Sequence, residues 1–347
     1  MPIGFYHEIN EKFIYTFTVY PMKTLVENFT QQLKEAKTIA SKAIISNQNS
    51  IHNVLITGLG GSGIGGTILS EVVSNYCKVP ITVNKDYFIP NFVNESTLVI
   101  ISSYSGNTEE TLAAMEMAIQ KKAQIACVSS GGKVLELAKQ HQFDFIEIPG
   151  GHPPRSCIGY SLVQLIQIFI SKGLADQSLM HDLDKAILLL DQHAMSIQVE
   201  AKSIAEKLHH KIAVIYSLGT CEGVTVRFRQ QINENSKMLC WHNTFPEMNH
   251  NELVGWTEKN EMLKVITFHT DFDYARTKKR YEICKPLFES LSSGVIDLYA
   301  KGESKLEQFL YHIHIGDWIS CYLADLKGID AVEVNVINKL KNELSNF

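Results

Sequence analysis

The sequence predicts an α/β protein made of two tandem, doubly wound parallel-sheet domains. Three observations carry this. Short β-branched runs alternate with helical patterns along the 347-residue chain. A strand-then-glycine junction occurs twice, at Leu59-Gly60 and again at Leu218-Gly219. The length suits two α/β units of ordinary size better than one.

The first unit opens with a helical pattern over about Pro21–Ser46. Strand runs follow at Asn53–Thr57, Val79–Val83, Thr97–Ser102, Gln124–Val128 and Asp144–Ile148. They are nearly continuous in apolar residues, the signature of parallel strands covered on both faces. A helix over Gly159–Lys172 closes the unit. The apolar pattern then lapses in GLADQSLMHDLD, Gly173–Asp184, which reads as a linker and places the domains at 1–178 and 179–347. The second unit restarts with a helix over Lys185–His209. Strands follow at Lys211–Tyr216, Leu263–Phe268 and Val295–Leu298, then a helix over Ser304–Leu326 and a last one after Val334.

Composition narrows the function. With 45% hydrophobic and 20% charged residues, the chain can bury a large core. A net charge of −5, mixed in sign and without a polybasic block, argues against nucleic acid or an anionic membrane as main partner. The longest apolar run, Tyr160–Ile170, is broken by Ser161, Gln164 and Gln167 and falls short of the roughly 20 residues of a membrane span. The start, MPIGFYHEINEKF, lacks the features of a secretory signal. Seven scattered cysteines without a C-x-x-C pair point to reduced thiols in a cytoplasm.

After the first strand, Gly58–Gly66 reads GLGGSGIGG. Glycines there let backbone N–H groups approach an anion, and the next helix start adds partial positive charge. The string also fits G-x-G-x-x-G, with Asp86 near the place of a ribose ligand, so a dinucleotide site competes. A structural tight turn is a third reading. The loop after Thr97–Ser102 decides between them. It reads SYSGNTEET, Ser103–Thr111, at the edge where open α/β sheets bind ligands. Ser103, Ser105 and Thr108 can donate to phosphate oxygens, and one of them can cap the helix. With Gly61 and Ser62 they form a neutral phosphate cup, the second half of which a dinucleotide does not need. In the second unit GLGGSGIGG has become SLGTCEG, which assigns phosphate binding to the first.

GGSGIGG followed by SYSGNTEET resembles the phosphosugar-isomerase (SIS) domain. The later motifs PRSCIGYS, INENSK and NHNE resemble the bifunctional phosphoglucose/phosphomannose isomerase family, and the match runs along nearly the whole chain. The resemblance implies a metal-free, cofactor-free aldose–ketose isomerase acting on a hexose 6-phosphate through a cis-enediolate. It also implies a homodimer with the active site near the partner chain. Two other readings are a sugar-phosphate sensor without turnover and a dinucleotide-dependent oxidoreductase.

Such an isomerase needs a proton carrier between C1 and C2, help with ring opening, and positive charge near the enediolate. Taken alone, Glu234 in INENSK is an ordinary helix carboxylate paired with Lys237. The resemblance makes it the proton carrier. His250, in the polar loop PEMNHNE, becomes the group that opens the ring, reaching the site from the partner subunit, while Glu252 fits an orienting role. Arg155 follows two prolines that stiffen its approach, and its match to the family motif makes it the enediolate stabiliser. Lys341 is the best-placed match to a substrate-binding lysine near the C-terminus, with Lys339 as fallback. His312, His314, His209 and His210 lack companions at ligand spacing, so no metal site is read.

Overall fold

The computed structural model describes residues 21–46, 50–344 and 346; the stretch MPIGFYHEINEKF lies outside them. Two short helices come first, α1 (Met22–Glu27) and α2 (Phe29–Lys42). The first sheet follows as β1 (Asn53–Thr57), α3 (Gly60–Val73), β2 (Ile81–Asn84), β3 (Thr97–Ser102), α4 (Glu109–Gln120), β4 (Gln124–Ser129), α5 (Gly132–His141) and β5 (Asp144–Glu147), closed by α6 (Ile158–Ser171). All its pairings are parallel, in the order β2-β1-β3-β4-β5.

The alternation of strand side chains divides these residues between two cores. Val54, Ile56, Leu98, Ile100 and Val128 face α3 and α6 in the main core. Leu55, Val99, Ile101 and Cys127 face the other way, onto Met115, Ala118 and Val134 of α4 and α5. Every residue of β3 is buried, as its unbroken TLVIIS run requires.

The second unit comprises α7 (Ser178–Leu208), β6 (Ile212–Ser217), α8 (Glu222–Ser236), β7 (Trp241–Thr244), β8 (Leu263–His269), α9 (Ala275–Leu291), β9 (Val295–Tyr299), α10 (Lys305–Lys327) and α11 (Asn335–Leu344). Its sheet is also parallel, ordered β7-β6-β8-β9. Ala213, Ile215, Ile266 and Phe268 join the same main core as the first sheet, through α7, α8 and α10. The architecture is the expected α/β one with parallel sheets.

Two sequence expectations are corrected. The linker over Gly173–Asp184 is helical from Ser178, because Leu179, Met180 and Leu183 bury one face of α7, and the Asp176 carboxylate accepts from the Ser178 N–H at 2.8 Å. The strand β7 was not expected: WHNT has no apolar run because it is an edge strand with no fully buried residue.

The two units meet where α3 lies along α8. Glu71 of α3 accepts from the Gly223 N–H in the first turn of α8 at 2.7 Å. Its second carboxylate oxygen is buried without a partner among the described residues. Burial, opposed by that N–H bond, raises its pKa to about 8. A folded-state pKa above the unfolded value means that stability falls as pH climbs from about 4.5 to 8, as the unfolded chain ionises first. Glu71→Gln is therefore expected to raise Tm by several degrees at pH 8, at about 2–4 °C per kcal/mol, and to leave it unchanged at pH 4. Equal shifts at both pH values in thermal melts would show that Glu71 folds ionised.

Candidate active site

The glycine-rich string is not a loop ahead of a helix. Gly60–Val73 is α3 itself, entered from Leu59 in extended backbone. Ser62 and Gly63 already donate to the Leu59 carbonyl at 3.1 and 3.2 Å, which leaves the Gly60 and Gly61 N–H groups without a partner among the described residues. A Cβ on Gly61 would stand 2.9 Å from the Pro154 carbonyl oxygen and 3.3 Å from the Arg155 Cα. Only glycine lets α3 begin against the segment that carries Arg155.

The serine-rich loop closes the other side. The Ser62 hydroxyl accepts from the Tyr104 N–H at 3.0 Å, which leaves its own proton to give. Ser103 donates to the Thr108 hydroxyl at 3.2 Å. Ser105 is exposed and accepts from the Asn107 N–H at 3.2 Å. Thr108 precedes α4 but makes no side-chain capping bond, so its hydroxyl is not committed to the helix. The Tyr104 hydroxyl accepts from the His152 N–H at 3.2 Å, tying this loop to the approach of Arg155. If these hydroxyls hold a phosphate, Ser62→Ala and Thr108→Ala should each raise KM several-fold, roughly 1 kcal/mol per bond. Unchanged KM in both variants would remove the cup.

Arg155 sits in a 3-10 turn, Pro154–Ser156, and is 5% exposed. Each arm of its guanidinium has a separate partner. Nε donates to Asn235 at 2.7 Å, and Nη2 to the carbonyls of Ala331 and Val332 at 2.6 and 3.0 Å. Nη1 reaches Glu234 Oε2 at 3.3 Å. Burial disfavours the charge of Arg155, and the Glu234 carboxylate opposes that effect. A second buried cation underpins the first: Arg227 Nη2 donates to the Arg155 carbonyl at 3.0 Å and to Asp317 at 2.6 Å. Gln231 donates to the other oxygen of Asp317 at 2.8 Å.

Glu234 thus differs from the simple helix carboxylate. Lys237 does not pair with its side chain: the lysine donates to the Glu234 backbone carbonyl and to the carbonyls of Asp330 and Glu333. The Glu234 side chain remains 30% exposed, open to a ligand while resting on Arg155. Glu252 accepts from Tyr216 and Trp241 on one oxygen and from Asn243 on the other.

His250 ends a 3-10 turn, Glu247–His250, with its side chain exposed. Lys341 is exposed on α11, and Lys339 pairs with Glu343 at 3.9 Å. Within one chain, among the described residues, neither His250 nor Lys341 bonds to Arg155 or Glu234. His312 and His314 are core residues of α10: burial pushes both pKa values down to about 4, and His312 meets the His269 carbonyl at 2.8 Å. Among the described residues no three His, Cys, Asp or Glu side chains gather as ligands. Asn235, Arg227 and Asp317 were not singled out in the sequence. The lone acid in the apolar run FLYHIHIGDWISCYL was the available signal for Asp317.

Two parallel sheets, a glycine-started helix and a serine-rich loop at one strand edge define a phosphosugar-isomerase (SIS) domain protein. The C-terminal domain of glucosamine-fructose-6-phosphate aminotransferase from Francisella tularensis shares the fold, with a TM-score of 0.69 at 14% identity, over 92% of this chain and 99% of that one. The family model for the bacterial phospho-glucose isomerase C-terminal SIS domain matches residues 197–344. The chain belongs to the bifunctional phosphoglucose/phosphomannose isomerase family. It is 39% identical to the member from Caldicellulosiruptor bescii over 93% of this chain and 98% of the relative. Identity to the Aquifex aeolicus member is 35%, over 84% and 90%.

Proposed function

We propose that the chain interconverts glucose 6-phosphate and fructose 6-phosphate through a cis-enediolate, with mannose 6-phosphate as a second aldose. The observation that carries the mechanism is the Arg155–Glu234 pair at 3.3 Å, joining the two units beside Gly61. In this reading the 6-phosphate lies on the Gly61–Ser62 turn and on the hydroxyls of Ser105 and Thr108, with Ser103 supporting Thr108 through its hydrogen bond. Glu234 moves the proton between C1 and C2, and Arg155 faces the charge that develops on the enediolate oxygens. Because the enediolate is planar at C2, return of the proton to either face gives one or the other aldose. Proton transfer of this kind needs no metal and no nucleotide.

An exposed His250 fits a role in the site of a second copy, where it would assist ring opening, and Lys341 would close over the substrate from α11. This makes the working form a homodimer. The seven cysteines, all free, suit a reducing cytoplasm.

Purified protein given fructose 6-phosphate is expected to form both aldoses, with or without EDTA. Glucose 6-phosphate alone would remove the second aldose, and formation of neither would end the proposal. Mixing Glu234→Gln and His250→Ala chains tests the shared site. Heterodimers would keep one intact site each, restoring about a quarter of wild-type activity at random exchange. No recovery after verified exchange would place His250 in its own chain's site.

A further inference from the structure

The second sheet has its own crevice at the C-terminal ends of its strands, away from Arg155 and Glu234. It is a cavity of about 290 Å³ between the ends of β8 and β9 and one face of α9, close to the lower limit of small-molecule sites. The helix α8 starts after β6 at this edge and carries Glu234 in its last turn, with roughly 18 Å of helix between Glu222 and Glu234 at 1.5 Å per residue, and none of the cavity's lining residues comes from α8. The crevice is therefore a separate place, and a ligand held there is independent of the isomerase reading.

Three of its lining residues, His269, Tyr281 and Lys285, converge on one carboxylate, Asp297. Asp297 accepts from His269 at 2.8 Å, from Lys285 at 2.6 Å and from the Tyr281 hydroxyl. Burial alone would raise its pKa, but these donors together hold it well below the usual carboxylate range. Asp297 is thus fully occupied in fixing these three residues. Tyr299 forms one wall: its ring stacks on His269 with centroids 4.5 Å apart and planes 18° from parallel. The residue is still 63% exposed. A flat aromatic surface, backed by a second ring, is left facing the opening.

The other wall is α9, which puts Lys278, Lys285 and Glu282 on the lining; Asp271 also lines the cavity, with one carboxylate oxygen accepting from Gln308 at 2.7 Å. The first turns of α9 read ARTKKRY, with four basic residues and no acid, and the helix start adds partial positive charge. Lys278, Tyr281 and Lys285 share the face that lines the cavity. Lys285 is held by Asp297, whereas the Lys278 ammonium has no ion pair among the described residues. Glu282, also on the lining, is drawn to Lys279 at 3.0 Å.

We propose that this cavity binds a phosphomonoester carried on a ring, with the phosphate at Lys278 and the ring over Tyr299. A sugar phosphate and a mononucleotide share that chemistry: either presents a ring face to an aromatic plane and a dianion to an ammonium. The position corresponds, in the second sheet, to the strand edge that carries the phosphate cup in the first.

Titration calorimetry on the full-length protein tests this with three probes: glucose 6-phosphate, AMP and inorganic phosphate. At least one ring-bearing probe should show a binding event that is retained in Ser62→Ala and weakened at least tenfold in Lys278→Ala and in Tyr299→Ala. Tyr299→Phe, which keeps the ring plane, should bind as the wild type does. Isomerase kcat/KM should be unchanged in the Lys278 and Tyr299 variants when assayed at low substrate. The contrast between glucose 6-phosphate and AMP identifies the source of the ring. The proposal is overturned if no probe binds outside the Ser62 site, if binding survives both Lys278→Ala and Tyr299→Ala, or if inorganic phosphate binds as tightly as the ring-bearing probes.

Discussion

Glu234→Gln is expected to lower kcat by about 10²–10⁴ with KM changed far less, because the amide keeps size and hydrogen bonding but cannot accept a proton. The fold should survive. Glu234 is partly exposed, and its side-chain contact among the described residues, to Arg155 Nη1 at 3.3 Å, can be kept by an amide oxygen. A melting temperature within a few degrees of wild type would make the lost turnover a chemical effect. Near-native turnover would transfer the proton to another group, and Glu252 would be the next to test, although its oxygens are already taken by Tyr216, Trp241 and Asn243.

Arg155→Lys should cost about 10²–10³ in kcat/KM, the range for removing one preorganised donor from a developing anion. The charge is retained in this variant, so the loss comes from geometry. Lysine offers a point charge where arginine offers a fixed fork. It cannot serve Asn235, Ala331, Val332 and Glu234 together, as the guanidinium does. Unfilled buried acceptors cost about 1–3 kcal/mol each, so Tm should fall as well, in contrast with Glu234→Gln. An increase in KM alone, with kcat intact, would mean that Arg155 binds the ground state and gives nothing extra to the enediolate.

Legibility in the sequence followed the strength of the local signal. β3 reads directly because burial on both faces demands a continuous apolar run. β7 is hidden because an edge strand with half-polar residues has no such demand. The start of α7 is obscured by SLMHDLD, where three buried side chains sit among polar ones and no break residue marks the boundary. In the site, Ser62, Ser103, Thr108, Arg155 and Glu234 lie in motifs that can be recognised one by one. Their assembly cannot be read that way: Arg155 meets Glu234 79 positions away, and Arg227 meets Asp317 90 positions away. Pairings at that separation come from how α8 and α10 pack between the sheets. The residues left apart, His250 and Lys341, are both at exposed positions, where one chain's packing exerts no hold.

The most direct measurement is the fate of the C2 proton. Fructose 6-phosphate converted in deuterium oxide by the wild-type protein should give glucose 6-phosphate carrying deuterium at C2, seen by NMR as loss of the H2 resonance. Under single-turnover conditions the same conversion by Glu234→Gln should be too slow to register, with no label entering either sugar. That pair of results places proton transfer at C2 on Glu234. Labelled glucose 6-phosphate formed by Glu234→Gln at the wild-type rate would contradict the assignment of the proton to Glu234.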